Sequence, residues 1–381
     1  MKIVVVGAGV FGATAALELR RRGHAVTVCD PGPLPHPRAE STDISKVVRM
    51  DYADGTYLDL MAETLPRWHD WNRHWGVDLY HEVGFLVLSR EEIRPGSFEH
   101  AALEGLERRG YVVQRLGAVE IARRFPAWAS GGYRDGYLNP RAGWAASGRV
   151  VERLLAEGRD AGVEVRDGTA IATLVDGDAG VCGVITAESE RLAADVVLVA
   201  AGCWTPVLVP HLRDRLWSTA QTVFHFHAAD AGAYRPPRFP VWAADIGAEG
   251  WYGFPALADG TVKIANHGVG RRADADDGRV VPDEDEERFR SFLRRSLPGL
   301  AQAPIVGRRV CLYSDSADGD FLIDGDPERP GLVVAAGGSG HGFKFAPALG
   351  RIIADVVERR PNRWAERFRW RSPVSTGAGR K

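Results

Sequence analysis

A glycine-rich loop near the N-terminus constrains this chain more than any other feature. The loop, residues 7–12 (GAGVFG), follows a buried apolar run at residues 2–6 and precedes a helical pattern at residues 11–22. A second apolar run at residues 25–29 leads into Asp30. A GxGxxG loop between a strand and a helix, with an acid at the end of the next strand, is typical of a dinucleotide-binding β-α-β unit.

The positions within this loop have distinct physical roles. Gly7 permits the tight turn, Gly9 lets the backbone approach a pyrophosphate, and Gly12 lets the helix pack closely on the sheet. The start of the helix, at Val10 and Phe11, offers unpaired N–H groups and the positive end of the helix dipole to phosphate groups. We therefore predict that these five residues bind a dinucleotide.

The order of elements along the chain favours FAD over a nicotinamide cofactor. Asp30 can accept hydrogen bonds from ribose hydroxyls, and its charge disfavours the 2′-phosphate of NADP. Strand-like runs resume only at residues 163–165 and 194–200, and again at residues 332–336. The intervening residues 222–267 alternate aromatic and polar side chains, as antiparallel sheets do. A nucleotide domain built from separated segments is more typical of flavin enzymes.

The predicted fold class is α/β plus α+β, with a Rossmann-like FAD-binding domain and an inserted domain rich in β-sheet. The FAD-binding domain is expected to comprise residues 1–45, 147–215 and 318–365. The substrate domain is expected to comprise residues 46–146 and 216–317. Residues 372–381 lack an apolar period and are predicted to be a disordered tail.

Composition excludes several other functions. A formal net charge of −2, from 48 basic and 50 acidic residues, argues against nucleic acid or an anionic membrane as partner. Neither a run of about eighteen apolar residues nor a secretory signal is present, so we expect a cytoplasmic protein. The four cysteines are far apart without a CxxC pair, and neither a metal site nor a disulfide is expected.

Four stretches spread over most of the chain carry a family likeness. They are residues 7–12, residues 45–49 (SKVVR), residues 251–255 (WYGFP) with Lys263 and His267, and residues 311–345, which include CLYSDSADGDFLID and GGSGHGFKF. Together they resemble the monomeric sarcosine oxidase group of the D-amino-acid oxidase superfamily, which includes N-methyltryptophan oxidase and the fructosyl amino acid oxidases. The resemblance implies a monomeric, FAD-dependent oxidase of a secondary amine or of an N-alkyl or cyclic amino acid, which yields an imine and hydrogen peroxide.

The resemblance also implies how FAD is held. Cys311 matches the residue that bonds covalently to the flavin ring, and Val165 is counted among the FAD contacts. The loop after the last strand is expected to lie against the flavin, where its N–H groups stabilise the charge of the reduced ring. Its contact residues are Gly338, Gly340, His341, Gly342, Phe343 and Lys344. Without the flanking match, Cys311 is better interpreted as a buried core cysteine.

The same resemblance assigns the residues around the substrate. Lys263 matches the lysine that activates oxygen, and a lysine in an apolar strand is costly to bury unless it is paired or functional. Arg49 and Lys344 match a pair that holds the substrate carboxylate. Lys46 is expected near the flavin. Sarcosine oxidases carry arginine at its position, whereas fructosyl amino acid oxidases carry lysine.

Tyr252 and His267 match positions that line the family's substrate pocket, although ordinary packing in an aromatic sheet would also explain them. Lys263 could likewise point to solvent. Three other functions stay open at this point: a dehydrogenase that uses a non-oxygen acceptor, a biosynthetic enzyme that desaturates a larger amino-acid-derived substrate, and a non-enzymatic flavin sensor.

Overall fold

The central layer of the molecule is a six-stranded sheet. The computed structural model of the protein describes residues 1–371, so the predicted tail at 372–381 lies outside the described residues. Five strands of the sheet are parallel, and the first in spatial order is antiparallel to its neighbour. The order is Leu322–Gly325, Leu332–Ala336, Val196–Val199, Lys2–Val6, Ala25–Asp30 and Glu164–Asp167.

Burial on both faces explains the apolar run in the strand Lys2–Val6. Ile3 and Val5 belong to a core that contains residues of the helices Val10–Arg21 and Ser147–Asp160. Val4 and Val6 face the opposite way, into a core that includes residues of a small antiparallel sheet. A parallel strand covered on both faces needs apolar residues at consecutive positions, which is why this run does not alternate.

A nine-stranded sheet forms the second large layer. Eight strands lie in the order Arg271–Arg272, Leu216–His227, Thr261–Asn266, Trp251–Gly253, Val241–Ala244, Phe85–Ser89, Asp135–Asn139 and Gln114–Gly117, and Ile305–Ser316 pairs with Leu216–His227. The strands of residues 222–267 pair antiparallel with one another as predicted, and in addition Val241–Ala244 runs parallel to Phe85–Ser89 from outside this stretch. Side-chain alternation shows which face is buried but not which way a strand runs.

Two three-stranded sheets complete the β-structure of residues 1–371. One contains Lys46–Val48, Gly143–Ala145 and Tyr80–Glu82, and the other contains Ile171–Gly177, Gly180–Thr186 and Arg191–Ala193. The α-helices are Val10–Arg21, Gly55–Trp75, Phe98–Arg108, Ala118–Arg124, Ser147–Asp160, Thr205–Leu208, Asp283–Ser296, Ala346–Val357 and Ala365–Phe368. Short 3-10 turns lie at Gly202–Trp204, Pro210–Leu212, Ala231–Tyr234, Pro298–Leu300 and Gly342–Phe345.

The predicted fold class is confirmed, since the parallel sheet collects strands from separate segments of the chain and a larger sheet is inserted between them. The domain limits stay a prediction. Among the described helices, none is both long and apolar enough to cross a membrane.

Candidate active site

A cavity of about 730 Å³ is lined by residues of both large sheets. Its wall includes Asp30 and much of the glycine loop, and it also includes the predicted substrate residues Arg49 and Lys344. The nucleotide-binding loop and the cationic residues therefore share one continuous space.

The glycine loop has the geometry that a dinucleotide requires. Gly7 has a φ of +104°, a backbone conformation that residues with a side chain rarely adopt. A Cβ at this position would also lie 2.5 Å from the carbonyl oxygen of Ala200. The helix that follows begins after Gly9, which has no side chain to cap it, and its first turn carries no acidic residue. Its N-terminus therefore favours phosphate.

Asp30 is held in place by the loop that it is predicted to assist. Its Oδ2 accepts a hydrogen bond from the Ala8 N–H at 2.8 Å, and its Oδ1 accepts one from the Gly32 N–H at 3.0 Å. Each carboxylate oxygen has a second lone pair, so the side chain can still accept a bond from a ribose hydroxyl. These residues fit a dinucleotide such as FAD.

Gly12 does not line the cavity but sets the contact between the helix and the loop. A Cβ at this position would lie 1.9 Å from the carbonyl oxygen of Gly7. We expect Gly12→Ala to push the helix away from the loop, to lower the free energy of unfolding by about 1–3 kcal/mol and to abolish flavin binding. Flavin absorbance per chain and urea unfolding measure the two effects.

The matched control is Gly117→Ala, because Gly117 has an ordinary φ of −87° and no atom lies within 4 Å of a Cβ built there. That variant should keep its flavin and its stability. A Gly12→Ala protein with a full flavin content would contradict the role given to this contact.

Two cations meet at Tyr52, a residue that the sequence analysis missed. The Arg49 guanidinium lies 4.8 Å from the centre of the Tyr52 ring, and Lys344 Nζ donates a hydrogen bond to Tyr52 Oη at 2.9 Å. Arg49 Nη1 is buried without a hydrogen-bond partner. Burial, followed by repulsion from Arg49, holds the pKa of Lys344 well below its usual range. An anion placed here would pair with the Arg49 guanidinium and stabilise Lys344 in its ammonium form.

A chain of hydrogen bonds that begins at Lys344 determines which nitrogen of His341 carries a proton. Lys344 donates to Tyr52, whose Oη lies 3.1 Å from His341 Nδ1, and His341 Nε2 lies 3.0 Å from the carbonyl oxygen of Gly319. Since a carbonyl only accepts, Nε2 carries the proton and Tyr52 donates to Nδ1. Burial first, and then Lys344, lower the pKa of His341 well below its usual value, so the ring is neutral.

Lys263 lies in the wall of the cavity and not in solvent, since it is 2% exposed. Its Nζ donates to Asp43 Oδ2 at 2.5 Å and to the Ser45 carbonyl oxygen at 2.6 Å, and it lies 4.7 Å from the centre of the Phe254 ring. Burial lowers the pKa of Lys263 to about 8, against the attraction of Asp43. Asp43 is a second residue that the sequence analysis missed.

Cys311 is buried beside the cavity and is not part of its wall. One link to the cavity is Lys46, which lines it and whose Nζ donates to Cys311 Sγ at 3.9 Å. Lys46 Nζ also lies 3.9 Å from Asp43 Oδ2.

Three ring side chains form a further part of the wall: Tyr252, His267 and Tyr313. Tyr252 Oη and Tyr313 Oη are 3.2 Å apart, and the rings of His267 and Tyr313 are 5.7 Å apart between centroids. Burial raises the pKa of Tyr252 despite the opposing charge of Lys46, so its phenol stays protonated at neutral pH.

Most of the predicted site residues line the same cavity. They are Gly7, Gly9, Val10, Phe11, Asp30, Lys46, Arg49, Tyr252, Lys263, His267, Gly338, Gly340, His341, Gly342, Phe343 and Lys344. The cavity wall does not include Gly12, Cys311 or Val165, the last of which pairs with Val28 at the edge of the parallel sheet. Within residues 1–371, His, Cys, Asp and Glu side chains do not form a group of three that could hold a metal ion.

Known proteins resemble this chain over nearly its whole length. It is 29% identical to an N-methyl-L-tryptophan oxidase of Salmonella heidelberg (strain SL476) over 365 aligned residues. The alignment covers 93% of this chain and 94% of the relative. It is also 27% identical to a monomeric sarcosine oxidase of Bacillus sp. (strain B-0618), and that alignment covers 93% of this chain and 91% of the relative.

Solved structures and a family profile agree with these relatives. The crystal structure of a fructosyl amine:oxygen oxidoreductase (Amadoriase I) from Aspergillus fumigatus superposes with a TM-score of 0.84 at 26% identity, covering 97% of this chain and 89% of that one. The profile of the FAD dependent oxidoreductases matches residues 2–356. The chain, with its glycine loop and cavity, therefore belongs to the FAD dependent oxidoreductase family.

Proposed function

We propose that this enzyme oxidises a secondary amine that carries a carboxylate, such as an N-alkyl or cyclic amino acid, and that oxygen is the final electron acceptor. The observation that carries the proposal is the pair Arg49 and Lys344, which lie on the wall of the cavity that also contains the glycine loop. Among residues 1–371, Arg49 Nη1 is buried without a hydrogen-bond partner, and Lys344 Nζ donates to Tyr52 Oη and to the His341 carbonyl oxygen. The names of the relatives, an N-methyltryptophan oxidase and a sarcosine oxidase, support an N-substituted amino acid as the substrate.

The substrate carboxylate is bound by Arg49 and Lys344. The guanidinium can offer two parallel donors and the ammonium a third, which fixes both the position and the rotation of the carboxylate. Because Tyr52 contacts both cations, their spacing is set before the substrate binds. Binding at a predefined place orients the C–H bond that reacts and removes much of the entropic barrier.

The remaining wall residues position the amine. When bound, FAD supplies the acceptor for the two electrons of the substrate C–H bond and later passes them to oxygen. Tyr252 and His267 present polar groups to the cavity near the hydroxyl of Tyr313 and can hydrogen-bond the amine nitrogen. Lys263 contributes a fixed positive charge, which stabilises the negative charge that develops on oxygen as it is reduced.

Cys311 is the proposed point of covalent FAD attachment. Its match to the flavin-linking segment of the sarcosine oxidase group supports this assignment, and so does the hydrogen bond from Lys46, a residue of the cavity wall.

The carboxylate pair makes a direct test of the proposed substrate class. We expect Arg49→Ala to raise the apparent dissociation constant of an N-methyl amino acid by about ten- to a hundredfold, since hydrogen bonds to charged groups contribute about 1.5–3 kcal/mol. Anaerobic titration of flavin reduction measures this constant. The increase in the dissociation constant should be smaller in Arg49→Lys, which keeps the positive charge but not the two parallel donors of the guanidinium.

The control is the matching amine without a carboxylate. Its oxidation, which should be poor in the wild-type enzyme, should change little in Arg49→Ala. An unchanged affinity of Arg49→Ala for the amino acid would exclude the carboxylate pair and with it the proposed substrate class.

A further inference from the structure

Lys263 shares a single buried carboxylate with a second lysine. Asp43 Oδ2 lies 2.5 Å from Lys263 Nζ and 3.9 Å from Lys46 Nζ. The Asp43 side chain is 1% exposed and that of Lys263 is 2% exposed. Two ammonium groups that face one cavity repel each other, and the carboxylate between them offsets this repulsion.

The position of Asp43 is fixed by contacts from several elements. Its Oδ1 accepts a hydrogen bond from the Ile44 N–H at 2.7 Å, and its backbone carbonyl accepts bonds from Ser147 Oγ at 2.8 Å and Gly148 N–H at 3.0 Å. The last two residues begin the helix Ser147–Asp160. His225 Nε2, from the strand that pairs with the strand of Lys263, lies 3.7 Å from Oδ1. These contacts fix the Asp43 carboxylate at one place, independently of the position of the Lys263 side chain.

We propose that Asp43 is a positioning residue for the oxygen reaction: it holds Lys263 at the cavity wall in the ammonium form. This inference rests on the proposed function, because it assumes that the charge of Lys263 promotes the reduction of oxygen. The net reaction transfers two electrons and two protons from reduced FAD to oxygen and yields hydrogen peroxide. Lys263 contributes charge and no atoms to that balance, and Asp43 acts through Lys263.

The groups around Lys263 determine which of the two lysines, Lys46 or Lys263, loses its proton first. It faces Asp43, Lys46, His225 and Cys311, which come from a loop and three different strands. Burial opposes the charge of Lys46, but the attraction of Cys311 and Asp43 outweighs it, and the pKa of Lys46 is raised. The pKa of Lys263 is instead lowered to about 8, so Lys263 loses its proton first as the pH rises.

Removal of the Asp43 charge should therefore shift the pH dependence of reoxidation. The rate constant of wild-type enzyme with oxygen should be constant below about pH 8 and fall above it, because the ammonium is the active form. In Asp43→Asn the Lys263 ammonium loses its partner, so its pKa falls. The break, which is the pH above which the rate constant begins to fall, should then move to lower pH by about one unit or more. Near pH 8 the rate should fall about fivefold or more.

The experiment separates the oxygen reaction from substrate chemistry. The flavin is reduced by light or dithionite without oxygen and then mixed with oxygenated buffer from pH 6 to 10, in wild type, Asp43→Asn, Asp43→Glu and Lys263→Met. Asp43→Glu keeps the charge and should keep the break near its wild-type pH. In parallel, NMR of ¹³Cε-labelled lysines in the oxidised holoenzyme follows the Lys263 ammonium itself, with Lys263→Met identifying its resonance.

The results discriminate between the inference and the function on which it rests. A break that moves in Asp43→Asn and stays in Asp43→Glu, with an NMR midpoint that moves likewise, supports the positioning role. A break that is unmoved in Asp43→Asn, while Lys263→Met is slow, overturns that role alone. Normal reoxidation of Lys263→Met overturns the inference together with the oxygen role of Lys263, whereas a wild-type enzyme that oxygen does not reoxidise overturns the proposed oxidase function. If Asp43→Asn does not fold, the wild-type resonance decides: a Lys263 that is already neutral at about pH 7 overturns the inference, because Asp43 then fails to hold it as an ammonium.

Discussion

Lys263→Met is expected to slow the reaction of the reduced enzyme with oxygen by about a hundred- to a thousandfold, the usual effect of removing one group that stabilises developing charge. Reduction of the flavin by the amine should change far less, because Lys263 contacts Asp43 and Ser45 and is not one of the two cations at Tyr52. Stopped-flow measurement of the two half-reactions gives the two rate constants separately.

The control for this variant concerns the charge that it leaves behind. Lys263→Met alone removes the nearer of the two ammonium groups beside the buried Asp43 carboxylate, which costs up to about 3–5 kcal/mol in stability. The double variant Lys263→Met/Asp43→Asn removes both charges and should fold better while it reacts with oxygen just as slowly. Equal losses in the reductive and oxidative half-reactions would mean that Lys263 has no specific role toward oxygen.

Cys311→Ser is expected to convert covalently bound flavin to flavin that acid precipitation releases in full. A hydroxyl at this position cannot form the thioether, whereas the glycine loop and Asp30, which are proposed to bind the nucleotide part, are untouched. Absorbance of the pellet and of the supernatant after precipitation measures the result. Wild-type protein should keep its yellow colour in the pellet.

Cys203→Ser is the matched control, because Cys203 lines the cavity while its Sγ donates to the Leu312 carbonyl oxygen at 3.4 Å. Its flavin should stay in the pellet. If wild-type protein also releases its flavin, covalent attachment is excluded and the enzyme binds FAD by contacts alone. If only Cys203→Ser releases it, the attachment point is Cys203.

Features encoded in neighbouring residues could be predicted from the sequence. The β-α-β unit was predicted because its strand, its GxGxxG loop and its helix are contiguous, and the structure contains all three within residues 2–30. The strand-like run predicted at residues 194–200 contains the strand Val196–Val199, which pairs in parallel with Lys2–Val6. Burial on both faces leaves a local signature, whatever the distance between the partners along the chain.

Features that depend on distant polar pairs could not be predicted in this way. Asp43 is separated from Lys263 by 220 residues, and Tyr52 is separated from Lys344 by 292. Neither residue has a periodicity or motif that marks it. The burial of an apolar-strand lysine was the only signal, since a buried ammonium needs a partner and Asp43 is the acid it finds. The parallel pairing of Val241–Ala244 with Phe85–Ser89 was missed for a similar reason, because the two strands lie far apart in sequence.

The most direct test of the central claim is the flavin spectrum of the purified protein, mixed without oxygen with a series of N-methyl and cyclic amino acids. We expect a yellow protein whose oxidised-flavin absorbance disappears with one equivalent of a good substrate. The absorbance should return on addition of air, with one equivalent of hydrogen peroxide. A flavin that stays oxidised with every secondary amine, or a colourless protein that FAD does not reconstitute, would contradict the proposed function.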